Sequence, residues 1–263
     1  MTGAVDEYAR HRSAPDTWAL GRFVVPIGRW NELESFVGRR GETWPVSLLA
    51  GCSDAKAIAG LIGRGSPLVV EAVECKAENV ANVDGVAEIV KLGLDVYVEA
   101  APGVDFTLLA EPIHSVGAAG KIRTGGVTAS AFPSSTHILH FLRACRQAGI
   151  RFKATAGLHH AVRGEYNLTY EPSPPTGTMF GYLNIAVAAA LVWFGTPDEE
   201  VLSALEEASL DAFEFSDDGV RWRQHAIGID QLAEVRREFF VGFGSCSFRE
   251  PMSEIGLEAV PRS

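Results

Sequence analysis

Residues 68–100, LVVEAVECKAENVANVDGVAEIVKLGLDVYVEA, hold the pattern from which the fold follows. Leu68–Cys75 and Leu94–Ala100 are short runs rich in β-branched and aromatic residues, which read as strands. Between them, Val80–Leu92 places Val80, Val83, Val86, Ile89 and Val90 at helical spacing. Strand, helix and strand within about thirty residues form a βαβ crossover, which requires the two strands to run parallel.

The same alternation extends in both directions. Arg22–Ile27, Pro45–Ala50, Lys121–Thr124 and Arg151–Thr155 read as further strands, and Ser53–Ile62, Asp105–Val116 and Ser134–Ala148 as helices. Ser53 with Asp54, Asp105, and Ser134 with Ser135 are candidate N-caps, and Gly149 is placed to end its helix. The connections are short and none resembles an interdomain linker. The expected fold is therefore α/β, a single TIM-like (β/α)8 barrel over residues 1–263, since such barrels run to about 250 residues. An open doubly wound sheet is disfavoured because Gly28-Arg-Trp after the first strand is not a G-x-G-x-x-G loop.

Regularity weakens beyond residue 160, so 161–238 is expected to be an atypical segment. Glu171–Pro175 (EPSPP) reads as a rigid turn. Thr178–Phe194 is apolar on nearly every side, as a buried or oligomer-packing helix would be. Asn184 interrupts that segment and reads as a pocket donor, a cap or a solvent-facing residue. Ala212–Arg223 alternates about Asp217-Asp218-Gly219, a hairpin signal. Ile229–Glu238 reads as a helix and Phe239–Phe248 as a last strand running into a Gly/Ser turn.

The formal charge of −10 disfavours binding to nucleic acid or anionic membrane. No apolar run is long enough to span a bilayer, and the first residues lack the basic and apolar regions of a signal peptide. Four cysteines without a C-x-x-C suggest reduced thiols, and Cys246 reads as a small packing residue. These features predict a cytoplasmic protein. Neither H-x-H nor H-E-x-x-H occurs, and His137 and His140 lie within one predicted helix, so no metal is expected. No cofactor motif is present.

Five of the 23 basic residues are lysines, at 56, 76, 91, 121 and 153. Lysine can shed its proton and act as a nucleophile, whereas arginine cannot. Alternation in strands puts Lys121 and Arg123 on one face, Lys153 and Thr155 on one face, and Asp95, Tyr97 and Glu99 on one face. Glu71 and Glu74 point to opposite faces, so one of the two is internal. Buried charges of this kind are costly unless paired or functional. A lysine beside another cation in partly dehydrated surroundings gives up its proton more readily. Lys121, with Arg123 and Lys153 nearby, fits that recipe for a Schiff-base nucleophile, with Glu71 or Glu99 moving protons.

Residues 119–160, AGKIRTGGVTASAFPSSTHILHFLRACRQAGIRFKATAGLHH, resemble the two-lysine stretch of deoxyribose-phosphate aldolases. The resemblance covers about a quarter of the chain. It implies Lys121 as the Schiff-base lysine and Lys153 as its perturbing partner. Phe243–Phe248 is similar to that family's phosphate-holding turn, which implies anion contacts at Gly244, Ser245 and Ser247. The same carry-over places Glu71 where the family has a catalytic Asp. Departures are Arg123 where a small residue is usual, Ala156-Gly157-Leu158 where Gly-Gly is usual, and a much longer segment after it.

The expected activity is thus an aldolase-type lyase acting on a small anionic carbonyl compound without a cofactor. Arg123, Thr155, His159 and His160 are the expected substrate contacts. Because successive residues of an extended segment point opposite ways, one of His159 and His160 is expected to face the pocket. Val70–Glu74 and Thr124-Gly125-Gly126 are also similar to strands of nicotinate-nucleotide pyrophosphorylases, which implies a phosphoribosyltransferase or decarboxylase binding carboxylate and phosphate non-covalently. A non-catalytic anion-binding barrel is a third reading.

Overall fold

The computed structural model describes residues 1–245 and 247–256; Cys246, read above as a packing residue, lies outside them. The chain forms two compact units, Met1–Ala119 and a second that begins at Gly120. In the first, four strands run parallel in the order β1 (Phe23–Pro26), β2 (Trp44–Leu49), β3 (Leu68–Ala77) and β4 (Asp95–Ala100). Helices α1 (Thr2–Arg12), α2 (Trp30–Gly38), α3 (Ala55–Ala59), α4 (Val80–Val90) and α5 (Thr107–Ser115) accompany them. When sequential strands sit side by side in sequential order, right-handed crossovers put every connecting helix on one face.

The strands read accordingly. Val46, Leu48, Val73, Cys75, Val96 and Val98 are buried on one side and match the buried stripes Trp30, Leu33 and Val37 of α2 and Val83, Val86 and Ile89 of α4. The opposite side carries Ser47, Glu74, Lys76, Tyr97 and Glu99, which the strand register sets next to one another. Asn79 caps α4, its side chain accepting from the Asn82 N–H at 3.1 Å.

In the second unit, β5 (Ala119–Arg123), β6 (Phe152–Thr155) and β12 (Phe240–Gly244) are parallel, with β6 in the middle. Phe152 anchors this core, with ring centroids 5.4 Å from Phe141, 4.9 Å from Phe239 and 5.1 Å from Phe240. Phe141 lies on α6 (Ser135–Ala148), which has the predicted caps: Ser134 Oγ accepts from the His137 N–H, and Gly149 is left-handed at φ 67°. The seven parallel strands among the described residues alternate with helices in the TIM-like (β/α) manner that the sequence predicts, and the pattern becomes irregular after residue 160.

The irregular part contains more structure than the periodicity shows. A hairpin, β7 (Gly164–Asn167) with β8 (Thr176–Met179), flanks the Pro-rich turn, so the apolar segment begins as a strand. The helix proper, α7 (Tyr182–Trp193), starts only after Gly181, where a Cβ would stand 2.2 Å from the Ala161 carbonyl oxygen. Helix α8 (Asp198–Leu205), absent from the expected elements, follows Pro197 with three acids in its first turn, which is itself a helix-start signal. The expected hairpin about Gly219 is present as β9 (Phe213–Ser216) and β10 (Gly219–Trp222), to which β11 (His225–Gly228) adds a third strand. Helix α9 (Ile229–Glu238) leads back to β12, and a short helix, α10 (Arg249–Ser253), follows it. Among the described residues no helix is long and apolar enough to cross a membrane.

Glu207 joins α8 to the three-stranded sheet. Its carboxylate accepts from the Ala208 and Ser209 N–H groups, the Trp222 indole and the Arg223 guanidinium. Burial opposes the charge, but the Ser209 N–H and Arg223 outweigh it and hold the carboxyl below its ordinary value. A carboxyl whose folded-state value is depressed contributes stability above its unfolded value and loses that contribution as pH falls through the folded one. Thermal melts between pH ~5 and pH ~2 should therefore show an acid-labile component. Glu207→Gln should remove that component while lowering the melting temperature at neutral pH. An unchanged acid limb in the variant would refute the assignment.

Candidate functional site

The register of β5 and β6 decides the lysine question. Lys121 is the Cα partner of Lys153, and Arg123 is the partner of Thr155. Partners in a parallel ladder project to the same face, and Phe152 and Ala154 project to the other, into the aromatic core. Lys121 and Lys153 therefore stand side by side on the face turned away from Phe152. Lys121 is buried at 7% exposure and Lys153 is half-buried. On the other side of β6, a shift in register between Phe240 and Gly242 pairs Gly242 with Lys153 and Gly244 with Thr155. A Cβ added at Gly242 would meet nothing within 4 Å, so β12 leaves open space beside Lys153.

One step further along the strands, at their C-terminal ends where (β/α) folds place their chemistry, a cavity of about 680 Å³ opens. Arg123, Ala156 and Gly157 lie at its base, and Tyr166, Tyr170 and Met179 come from the β7–β8 hairpin and its loop. Arg123 is exposed, and among the described residues no acceptor is bonded to its guanidinium, which leaves it suited to a carboxylate or phosphate. The lysines are two residues below Arg123 and Thr155, about 6.6 Å along an extended strand.

The chain leaves β6 through a strained turn. Ala156 is left-handed at φ 67° and Gly157 at φ 72°, a conformation that a non-glycine residue adopts at a cost of order 1 kcal/mol or more. Thr124 holds it, its Oγ1 donating to the Ala156 carbonyl at 2.6 Å, and the Ala156 N–H donates to the Gly244 carbonyl at 3.2 Å. Gly125 permits the close approach, since a Cβ there would lie 2.9 Å from the Gly157 Cα. Because this turn breaks the extended backbone, the alternation expected for His159 and His160 does not apply, and both line the cavity.

Each histidine is held by a carboxylate that is not among the residues expected from the sequence. His159 Nδ1 lies 2.7 Å from Glu250 Oε2, and the Tyr170 hydroxyl donates to both oxygens of Glu250 at 3.0 and 2.9 Å. His160 Nδ1 lies 2.5 Å from Glu254 Oε1, whose second oxygen accepts from the Ala161 N–H. The His160 ring stacks on Tyr166 with centroids 3.5 Å apart. Burial, followed by the Glu254 charge, pushes the Tyr166 and Tyr182 phenols above their ordinary values, and the Tyr182 hydroxyl donates to the Pro251 carbonyl.

The remaining candidates lie elsewhere. Gly244, Ser245 and Ser247 do not line the cavity. The Ser245 hydroxyl accepts from the Ser247 N–H and the Ser247 hydroxyl from the Glu250 N–H. Glu71 and Glu99 belong to the first unit. Glu71 sits at the register shift of β2 against β3 and is exposed, accepting from Arg22 Nε at 2.9 Å. The internal member of the Glu71 and Glu74 pair is Glu74, 3% exposed and bonded to Ser47 Oγ at 2.8 Å. Glu99 is buried, with Lys76 Nζ 3.5 Å away. Asn184 is neither a cavity donor nor solvent-facing but a fully buried cap of α7. Among the described residues no cluster of three His, Cys, Asp or Glu side chains could hold a metal. Compared with family models, curated proteins and solved structures, the chain matches none.

Proposed function

We propose that the protein is a Schiff-base-forming lyase that makes or breaks a carbon–carbon bond in a small anionic carbonyl compound. Lys121 is the nucleophile, Lys153 its neighbouring cation on the adjacent strand, and Arg123 the contact for the substrate's anionic group. The observation that carries this reading is the Lys121–Lys153 register pair on adjacent strands, below a cavity lined by the Arg123 guanidinium, which has no bonded acceptor among the described residues. A free amine condenses with an aldehyde or ketone, and the resulting iminium accepts the electron pair of the adjacent bond. Borohydride reduction in the presence of pyruvate, glyoxylate or glyceraldehyde phosphate should leave a reduced adduct on the peptide containing Lys121. Absence of an adduct with every carbonyl compound would overturn the reading.

One observation favours a second reading. The cavity is lined by Arg123 and not by either lysine, as expected if carboxylate and phosphate groups bind there without a covalent bond. Mg²⁺-dependent binding of a phosphoribosyl donor, with no borohydride adduct, would select it.

A further inference from the structure

The cavity holds a histidine–carboxylate pair that the lysine chemistry does not yet use. We propose that His159, oriented by Glu250, is the acid–base group of the reaction at Lys121; this rests on the Schiff-base reading above. An ionised carboxylate only accepts hydrogen bonds, so the 2.7 Å contact requires the Nδ1 proton on His159 and leaves Nε2 as the proton acceptor. Glu250 is itself held by the Tyr170 hydroxyl, which donates to both of its oxygens and lies 3.5 Å from His159 Nδ1, so the ring is held in one orientation. His159 lines the same cavity as Arg123, and its side chain is only 14% exposed. His160 differs in role, because stacking on Tyr166 and the bond to Glu254 make it a fastener of the loop.

The step balances without any further reagent. The Lys121 amine adds to the substrate carbonyl, one proton is taken up from solvent and water leaves, giving a protonated iminium; that proton returns to solvent when the iminium is finally hydrolysed. His159 Nε2 takes the proton from the adjacent carbon. The C–H electron pair becomes the carbon–carbon double bond of an enamine, and the iminium nitrogen becomes neutral. The imidazolium formed on His159 is balanced by the Glu250 carboxylate. When the enamine carbon attacks a second carbonyl, the new alkoxide takes the proton back from Nε2, and hydrolysis of the iminium frees Lys121. Glu250 acts through His159 and is a positioning residue.

The test follows two signals with pyruvate as probe, namely borohydride trapping on Lys121 and exchange of the methyl protons for deuterium in D₂O, read by NMR above the buffer background. In His159→Gln the adduct should still form while exchange falls about 100-fold or more. In His159→Ala, exogenous imidazole should restore exchange, which a merely structural histidine would not allow. Glu250→Gln should lower the exchange rate without raising the pyruvate concentration needed for half-saturation. Trapping with undiminished exchange in His159→Gln, or failure of imidazole to rescue, would overturn the role of His159 and leave the Schiff base standing. No adduct in the unaltered protein would overturn both.

Discussion

Lys121→Arg protein should fold, keep its positive charge on β5 and trap no carbonyl compound at all. Arginine preserves the cation but cannot supply a free amine, so the substitution separates nucleophilic from electrostatic roles. If the site only attracts anions, Lys121→Arg should retain binding of a carboxylate ligand, and the adduct in the unaltered protein should be missing as well. Lys153→Met makes the complementary change. It leaves Lys121 in place but withdraws the like charge set beside it by the strand register. Trapping on Lys121 should slow by roughly tenfold. Equal rates in the two proteins at neutral pH would remove Lys153 from the mechanism.

Asn184→Ala should cost about 4 kcal/mol of folding stability, a large part of the 5–15 kcal/mol that holds a typical domain together. Asn184 is fully buried, and its amide uses both donors and two acceptor sites. Oδ1 accepts from the Arg163 N–H at 2.8 Å and the Gly181 N–H at 3.2 Å, and Nδ2 donates to the Ala204 and Glu207 carbonyls at 2.7 and 2.8 Å. Alanine would leave four backbone groups without this partner, each costing about 1–3 kcal/mol if it finds no other. Asn184→Asp tests the same account differently. It keeps the acceptor but turns a carboxylate oxygen toward two carbonyls, and it should be no better tolerated than alanine at neutral pH. Denaturant unfolding of both variants measures this, and a loss below ~1 kcal/mol in each would refute it. The Arg163 link anchors the chain just beyond His159 and His160.

Strands β1 to β6 and helices α3 to α6 were legible because each rests on short-range information: β-branched runs, helical spacing, and caps such as Ser134 and Gly149. Alternation placed each lysine on a face of its own strand, but their partnership rested on the resemblance of residues 119–160, because the period of two does not set the register between strands. Glu71 was misleading because its alternation is interrupted. A shift in register at Val46 and Ser47 leaves it outside, bonded to Arg22, and puts Glu74 inside. No residue pattern near position 71 records that shift.

By itself, then, the sequence determined the α/β alternation and which residues share a face of each strand, properties of residues within a strand or a turn of one another, whereas the register that pairs Lys121 with Lys153 belongs to the packed sheet. Only the tertiary structure decided what surrounds the cavity. Glu250 and Glu254 reach His159 and His160 across 91 and 94 residues of chain. The left-handed turn at Ala156 and Gly157 places both histidines along one wall. Such contacts depend on how separate elements pack, and local periodicity carries no information about which distant side chain will meet a given ring.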